Sequence, residues 1–404
     1  MKTLVVYEKL RSISVLGFGP RAALVLLAAA MATSQANAQN ALEPPRAGTS
    51  PVVNKAEVAD IASYWTPERL SSAQPMDLIP VDSNVAPSPT HEPEKGPAGF
   101  VEGQPPIAKL PADASEQLLQ ALGEQAPFLA PGFNYVYPFS TYADADYNMY
   151  PDQTIGRLFF TLDGVNYSCS ASVIRPHTLV TARHCVYNYG NGHWATNEVF
   201  YPALFNGTSN GKYGGAWYGR RSATWVSGAA TLDYDIGFIQ LFDHNHSGCG
   251  GSSNTPPIES YTGYLGYTYN GDFSQRQWAI FGYPAATNSV DHNPFNGNWM
   301  IRSDAATGQV ASFGYTNTTE VGSDQTGGTS GGPWIIGYSP AVNSTFCANN
   351  TYPGTGTHGG CDYVNSVNSF KFTNPDHSLA INGPQFQTYN FLNLLSFYNT
   401  LSCP

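Results

Sequence analysis

From about residue 153 onward, short apolar or alternating runs recur along the chain, divided by Gly, Asn and Pro. Ile155–Leu162 (IGRLFFTL), Ser168–Ile174 (SCSASVI), Thr178–Thr181 (TLVT), Ile236–Leu241 (IGFIQL) and Trp278–Phe281 (WAIF) are the clearest. β-Branched and aromatic residues dominate them, which predicts strands. Many short strands with loop punctuation predict an all-β sandwich or barrel. A helical apolar stripe appears only near the end, at Phe391–Tyr398 (FLNLLSFY), and no internal repeat is visible.

Upstream the pattern differs. Residues 39 to about 140 are rich in proline (Pro44, Pro45, Pro51, Pro75, Pro87, Pro89, Pro105, Pro106) and lack cysteine. Asp113–Gln125 reads as one short helix, capped by Asp113 or Ser115, with Leu118, Leu119 and Leu122 on one face. Elsewhere apolar residues keep no period. The segment is expected to be a largely disordered linker, tether or propeptide. Further upstream, Lys2, Lys9, Arg11 and Arg21 precede the apolar run Ala22–Thr33, and Ala36-Asn37-Ala38 offers a small-residue cleavage site. That is the pattern of a secretory signal. The run is shorter than the roughly 20 residues needed to cross a bilayer as a helix. The expected organisation is a signal peptide over 1–38, a Pro-rich propeptide or linker over 39–150, and a folded unit over 151–404. The product is expected to be secreted (extracellular or periplasmic), monomeric and free of the membrane once the signal is removed.

Composition narrows the function. Eighteen Lys and Arg against 29 Asp and Glu give a net charge of −11, which excludes nucleic-acid binding through a basic footprint. Charged residues make up 12% of the chain, too few for coiled coils. A 13% aromatic content supplies apolar surface that a wholly disordered chain would lack. Walker and Rossmann fingerprints are absent, so no nucleotide cofactor is expected. His244 and His246 stand at alternate positions, but the stretch DHNHSGCG reads as a loop without a third ligand, and no metal is expected there. Six cysteines (Cys169, Cys185, Cys249, Cys347, Cys361, Cys403) in an exported chain suggest three disulfides. Cys347 and Cys361 bracket a Gly-rich loop and are expected to pair. Cys249 with Cys403 follows by elimination if Cys169 joins Cys185.

Three local patterns carry candidate chemistry. Acyl transfer needs an activated hydroxyl, a neutral imidazole oriented by a carboxylate, and backbone N–H groups facing the oxyanion. Thr326–Trp334 reads TGGTSGGPW. Glycines on both sides of Ser330 let the backbone bend sharply and a substrate come close, so the Gly328 and Ser330 amides can address one oxygen. Thr181–Cys185 reads TARHC and puts His184 just after an apolar strand. A Cys169–Cys185 bridge would fix the loop carrying that histidine. Asp233–Leu241 reads DYDIGFIQL. Asp235 enters an apolar strand, which is costly without a partner, and Asp233 is the alternative.

Together the three patterns resemble the trypsin-like (chymotrypsin-fold) serine peptidases, in the order His184, Asp235, Ser330. The bacterial secreted branch that includes glutamyl endopeptidases is the most similar, on Gly282-Tyr283-Pro284 after a strand and a polar residue before the serine. The resemblance covers roughly residues 150–404. It implies two six-stranded antiparallel β-barrels with a C-terminal helix, and it implies the Cys169–Cys185 bridge of the histidine loop. Ser330 is then the nucleophile acting on protein or peptide substrates. His184 is the proton carrier, Asp235 its orienting carboxylate, and the Gly328 and Ser330 amides form the oxyanion hole.

Departures from the family pattern bear on activation and specificity. Thr329 stands where animal trypsins carry the aspartate that pairs with a new N-terminus. Activation is therefore expected through removal of the 39–150 region, as steric cover or to free a strand. The competing expectation is that this region assists folding. Asp324 lies six residues before Ser330, where trypsin has its specificity aspartate, which implies Arg or Lys before the cut bond. The pocket-wall strand matches Val367–Lys371, bringing Ser369 and Lys371 to the substrate. Asn368 there replaces the histidine of glutamyl endopeptidases, which argues against a glutamate preference, although His358 leaves a second alignment open. Lys371 is expected either to accept an acidic side chain or to block the pocket mouth. Two other classes are weighed against the peptidase: a binding module that has lost catalysis, and a carbohydrate-binding β protein using its 25 Tyr and 7 Trp.

Overall fold

The computed structural model describes residues 44–85, 95–107, 137–207, 213–244, 256–288, 295–339 and 360–401. Residues from Pro45 onward cluster as one compact unit. The expected signal sequence and the helix expected over 113–125 lie outside the described residues.

The Pro-rich region departs from the expectation of a largely disordered segment. Its described parts carry strands β1 (Arg46–Thr49), β2 (Gln74–Pro75), β3 (Ile79–Val81), β4 (Gly99–Val101) and β5 (Phe139–Ala143), and helices α1 (Lys55–Tyr64) and α2 (Pro67–Ser72). The start of α1 is fixed by Glu57, whose carboxylate accepts from the Asn54 amide at 2.5 Å, a capping-box contact. Val58 and Ile61, one turn apart, are its buried face. Thr66 caps α2 by accepting from the Arg69 amide at 3.3 Å, with Pro67 at the first position. The few apolar side chains here keep no period because they build no core of their own. They are anchors on another surface, and the backbone is satisfied by pairing with the edges of the β unit.

The first barrel comprises β6 (Ile155–Leu162), β7 (Val165–Arg175), β8 (Thr178–Thr181), β11 (Thr196–Pro202), β12 (Trp217–Ser227) and β13 (Gly237–Leu241); a short hairpin of β9 (Tyr187–Asn188) and β10 (His193–Trp194) lies between β8 and β11. The ring runs β6-β7-β8-β13-β12-β11 and closes as β11 pairs with β6. Asp163-Gly164 turns β6 into β7 with φ of 52° and 79°, the left-handed pair that a two-residue hairpin turn demands. Along these strands Ile155, Leu158, Phe160, Val173, Leu179, Phe200, Ala223 and Ile239 turn inward and are buried.

The second barrel begins after β14 (Gly266–Tyr269). It comprises β15 (Gln277–Gly282), β16 (Ile301–Val310), β17 (Thr318–Gly322), β18 (Pro333–Ile336), β19 (Tyr363–Val367) and β21 (Ala380–Pro384), with the short β20 (Phe370–Phe372) leading into β21. The order is β21-β17-β16-β15-β18-β19. Its ends meet where the Phe386 amide donates to Asn365 O at 2.8 Å and the Ser369 amide to Asn382 O at 3.0 Å. Ile280, Val321, Trp334 and Ile381 fill it.

The chain ends in a helical segment from Thr388 that continues as α3 (Asn393–Asn399). Leu394, Leu395 and Tyr398 are buried, Phe391 meets Phe238 edge-on, and Trp225 Nε1 donates to Asn390 O at 2.7 Å. The last helix is thus bound to the first barrel. The N-terminal strands add to both barrels. β1 lies antiparallel on β12, β2 parallel on β7, β3 parallel on β20, β4 antiparallel on β14 and β5 antiparallel on β16.

Candidate active site

His184 sits in a single 3-10 turn, Arg183–Cys185, at the end of β8. Two constraints hold that turn. Cys185 is bridged to Cys169 in β7, and the buried Arg183 donates to Ala229 O at 2.5 Å. Asp235 follows another 3-10 turn, Leu232–Tyr234, and is fully buried. It accepts three hydrogen bonds. The His184 amide donates to Oδ1 at 3.0 Å, His184 Nδ1 lies 2.8 Å from Oδ2, and Ser369 Oγ donates to Oδ2 at 2.6 Å. Burial alone pushes the Asp235 carboxyl up; the adjoining His184, Arg183 and the Ser369 hydroxyl outweigh it and hold it below its ordinary value. With the carboxylate ionised, Nδ1 of His184 is the protonated nitrogen and Nε2 is free to take a proton. Asp233 is turned elsewhere: it accepts from Tyr389 OH at 2.6 Å, and burial raises its carboxyl.

Ser330 lies in the loop between β17 and β18. Gly328 has φ of +93° and Gly331 +81°, conformations that favour glycine. A Cβ at Gly331 would collide with Thr181 Oγ1 and the Ser170 carbonyl, so the loop packs directly onto the end of β8, beside the histidine turn. Ser170 ties it down further: its amide donates to Ser330 O at 2.8 Å and its hydroxyl to Gly328 O at 2.9 Å. Thr329 faces the second barrel and donates to Gln325 Oε1 at 2.5 Å.

The structure brings His184 and Asp235 together and sets Ser330 against the histidine turn, its carbonyl 3.7 Å from Cys185 Sγ. It does not join Ser330 to His184. The Ser330 hydroxyl donates to the main-chain oxygen of Met76 at 3.3 Å, and His184 Nε2 is buried without a hydrogen-bond partner. The Gly328 amide donates to the same Met76 oxygen at 2.8 Å. Nothing in the local sequence of Met76 announces this contact.

Other expected residues take different places. Ser369, expected at the substrate, spends its side chain on Asp235; its carbonyl accepts from the Ile79 amide at 3.1 Å. Asn368, at the pocket-wall histidine position, is wholly occupied behind the nucleophile loop. Its Nδ2 donates to Phe281 O, Thr329 O and Thr329 Oγ1, and its Oδ1 accepts from Trp334 Nε1 at 2.6 Å. Asp324 is buried, and its carbonyl accepts from Asn288 Nδ2 at 2.5 Å. Lys371 is half-buried on β20. His244 packs between the rings of Trp217 and Tyr261, while His246 and His358 lie outside the described residues. Cys361 is disulfide-bonded, and Cys249, Cys347 and Cys403 lie outside the described residues.

No family model matches the chain. Among curated proteins it is similar to a glutamyl endopeptidase of Bacillus licheniformis, 27% identical over 199 residues, 48% of this chain and 54% of that protein. The chain thus spans about half the length of the curated relative it matches. Among solved structures, protease Anisep from Arthrobacter nicotinovorans is 28% identical and covers 64% of this chain and 98% of its own, with a TM-score of 0.47. The thermostable serine protease AL20 from an extremophilic microorganism is 24% identical, covering 62% and 98%, also at 0.47. A Glu endopeptidase in complex with MPD is 15% identical, covering 68% and 100%, at 0.46.

Proposed function

We propose that this chain is a serine endopeptidase, exported as a precursor, that hydrolyses protein or peptide substrates through an acyl-enzyme on Ser330. The observation that carries the reading is the Met76 oxygen. The Gly328 amide and the Ser330 hydroxyl converge on it at 2.8 and 3.3 Å, in the loop that packs against the histidine turn. It marks the place a scissile carbonyl oxygen takes once Met76 has left.

In the working enzyme, Ser330 Oγ turns to His184 Nε2, gives it a proton and bonds to the substrate carbonyl carbon. The carbonyl π pair moves onto oxygen, held by the Gly328 and Ser330 amides. Asp235 keeps the Nδ1–H tautomer and stabilises the imidazolium. Collapse of the intermediate breaks the C–N bond, and His184 returns the proton to the leaving amine. Water then repeats the cycle and frees Ser330. The Cys169–Cys185 bridge suits an oxidising compartment, in keeping with residues 1–38 as an export signal and 39–150 as a pro-region.

For the residue before the cut bond we favour glutamate. The Arg/Lys expectation rested on Asp324 alone, and no comparison supports it, whereas the curated relative is named for glutamate. A glutamate side chain there requires a cation, and Lys371 on the wall strand is the candidate. Hydrolysis of a peptide library tests both parts. Ser330→Ala must abolish cutting while leaving the fold intact, and the cut sites must be enriched in Glu. Enrichment of Arg or Lys would reject the glutamate preference, and undiminished cutting by the variant would reject the mechanism.

A further inference from the structure

We propose that Gln74–Val81 is a built-in inhibitor that lies across Ser330 in the direction opposite to a substrate, offering Met76 O to the Gly328 amide and the Ser330 hydroxyl as a carbonyl that cannot be productively cut. The inference rests on the peptidase reading and deepens it.

The direction of a substrate follows from the chemistry. His184 must hand a proton to the leaving amine, so the residues after the cut bond depart on the His184 side, beside the Cys169–Cys185 bridge. The acyl half then lies on the opposite side, along Ser369–Phe372 of the second barrel. A substrate therefore runs from the second barrel to the first.

The strap runs the other way. Gln74 and Pro75 pair in parallel with Tyr167 and Ser168 of the first barrel, immediately before Cys169, and the Met76 amide donates to Ser168 O at 2.9 Å. Ile79, Pro80 and Val81 then pair in parallel with Phe370, Lys371 and Phe372 of the second barrel. The Ile79 amide donates to Ser369 O at 3.1 Å, and Val81 O accepts from the Thr373 amide at 2.9 Å. Leu78 is buried in the apolar cluster that includes Val321, Trp334 and Ile381, and Val81 in that of Phe370 and Phe372. Met76 thus presents a substrate-like oxygen with the polarity of the chain inverted.

Two consequences stop turnover. The Ser330 hydroxyl donates its hydrogen bond to Met76 O instead of to His184, so the general base is disengaged. If attack did occur, the amine of Asp77 would leave toward the second barrel, away from the only proton His184 can return. Recombination of that amine with the acyl-enzyme would then outrun its release. Both prolines fit the arrangement. Pro75 and Pro80 lack N–H groups, and the ladder draws its donors from Met76 and Ile79 between them.

The test uses the full chain. Fluorophosphonate labelling of uncut wild-type protein is compared with that of Leu78→Asp, which puts a charge into the apolar cluster, and Ile79→Pro, which removes the donor to Ser369. We expect both variants to label at least tenfold faster than wild type. A synthetic peptide of residues 73–82, added to either variant, should restore slow labelling and remain whole by mass spectrometry after prolonged incubation. Equal labelling rates in wild type and folded variants overturn the inference, as does cleavage of the peptide at Met76–Asp77. In either case labelling at Ser330 leaves the peptidase reading standing. Failure of every folded chain to label overturns that reading, and the inference with it.

Discussion

Replacing Asp235 by asparagine isolates what the carboxylate does. All three of its hydrogen bonds are accepted: one at Oδ1 from the fixed His184 amide, and two at Oδ2, from His184 Nδ1 and Ser369 Oγ. An amide has one acceptor end and one donor end. Its NH₂ cannot face the backbone N–H at Oδ1 without leaving two donors buried against each other, which costs on the order of 1–3 kcal/mol or more. The NH₂ therefore takes the Oδ2 position. The Ser369 hydroxyl can rotate and accept, but His184 Nδ1 must then also become an acceptor. That forces the ring proton onto Nε2, where it blocks transfer from Ser330. The shape of the site is preserved and the base is lost. The expected drop in kcat is about 10⁴-fold, or roughly 5 kcal/mol of barrier, with KM for peptide substrates nearly unchanged. Steady-state kinetics on the activated enzyme give the magnitude, and ¹⁵N NMR of the His184 ring gives the tautomer. A folded Asp235→Asn enzyme that keeps kcat within tenfold of wild type would refute this reasoning.

Other perturbations follow from the same contacts. Cys169 and Cys185 close a loop of sequence separation 16, so replacing both with serine should cost about 3 kcal/mol in denaturant unfolding and loosen the His184 turn; unchanged stability would mean the bridge constrains nothing. Gly331→Ala should lower the melting temperature by several degrees or prevent folding, because the new Cβ meets Thr181 and the Ser170 carbonyl at φ +81°. Glu198 is buried and accepts from the Ser222 hydroxyl at 2.6 Å, and burial lifts its carboxyl to about 7. The folded state therefore holds its proton more tightly than the unfolded state. The associated stability is full below the ordinary glutamate value and is lost as pH rises through about 7. Glu198→Gln should be more stable than wild type above pH 7 by up to about 3 kcal/mol, with the difference vanishing near pH 4; a constant difference across that range would assign it to packing instead.

The parts of the site legible in the sequence are those whose constraint is local. The glycines around Ser330 announce a sharp loop because Gly328 and Gly331 occupy backbone conformations that other residues resist. His184 and Asp235 each stand where an apolar strand meets a turn, and that juxtaposition is readable along the chain. The choice between Asp235 and Asp233 was not, since only the fold decides which carboxylate meets the imidazole and which meets Tyr389. The sequence puts Ser369 and Asn368 on the pocket wall, but their side chains face Asp235 and the nucleophile loop. A strand's sequence says which residues alternate, not which distant groups they will reach. The strap was hidden most fully. Ser330 and Met76 are 254 residues apart, and QPMDLIPV carries neither a period nor a core of its own. Its prolines read as disorder when the segment is taken alone, yet on a barrel edge they cost nothing, because the ladder draws its donors from the residues between.

The central claim is that Ser330 becomes a nucleophile only when His184 can take its proton. It is tested most directly by treating the activated enzyme with a fluorophosphonate and locating the adduct by peptide mass spectrometry. The account predicts one phosphonylated site, Ser330, formed at a rate that collapses in His184→Ala. An adduct on another residue, or one on Ser330 that forms equally fast without the imidazole, would contradict it.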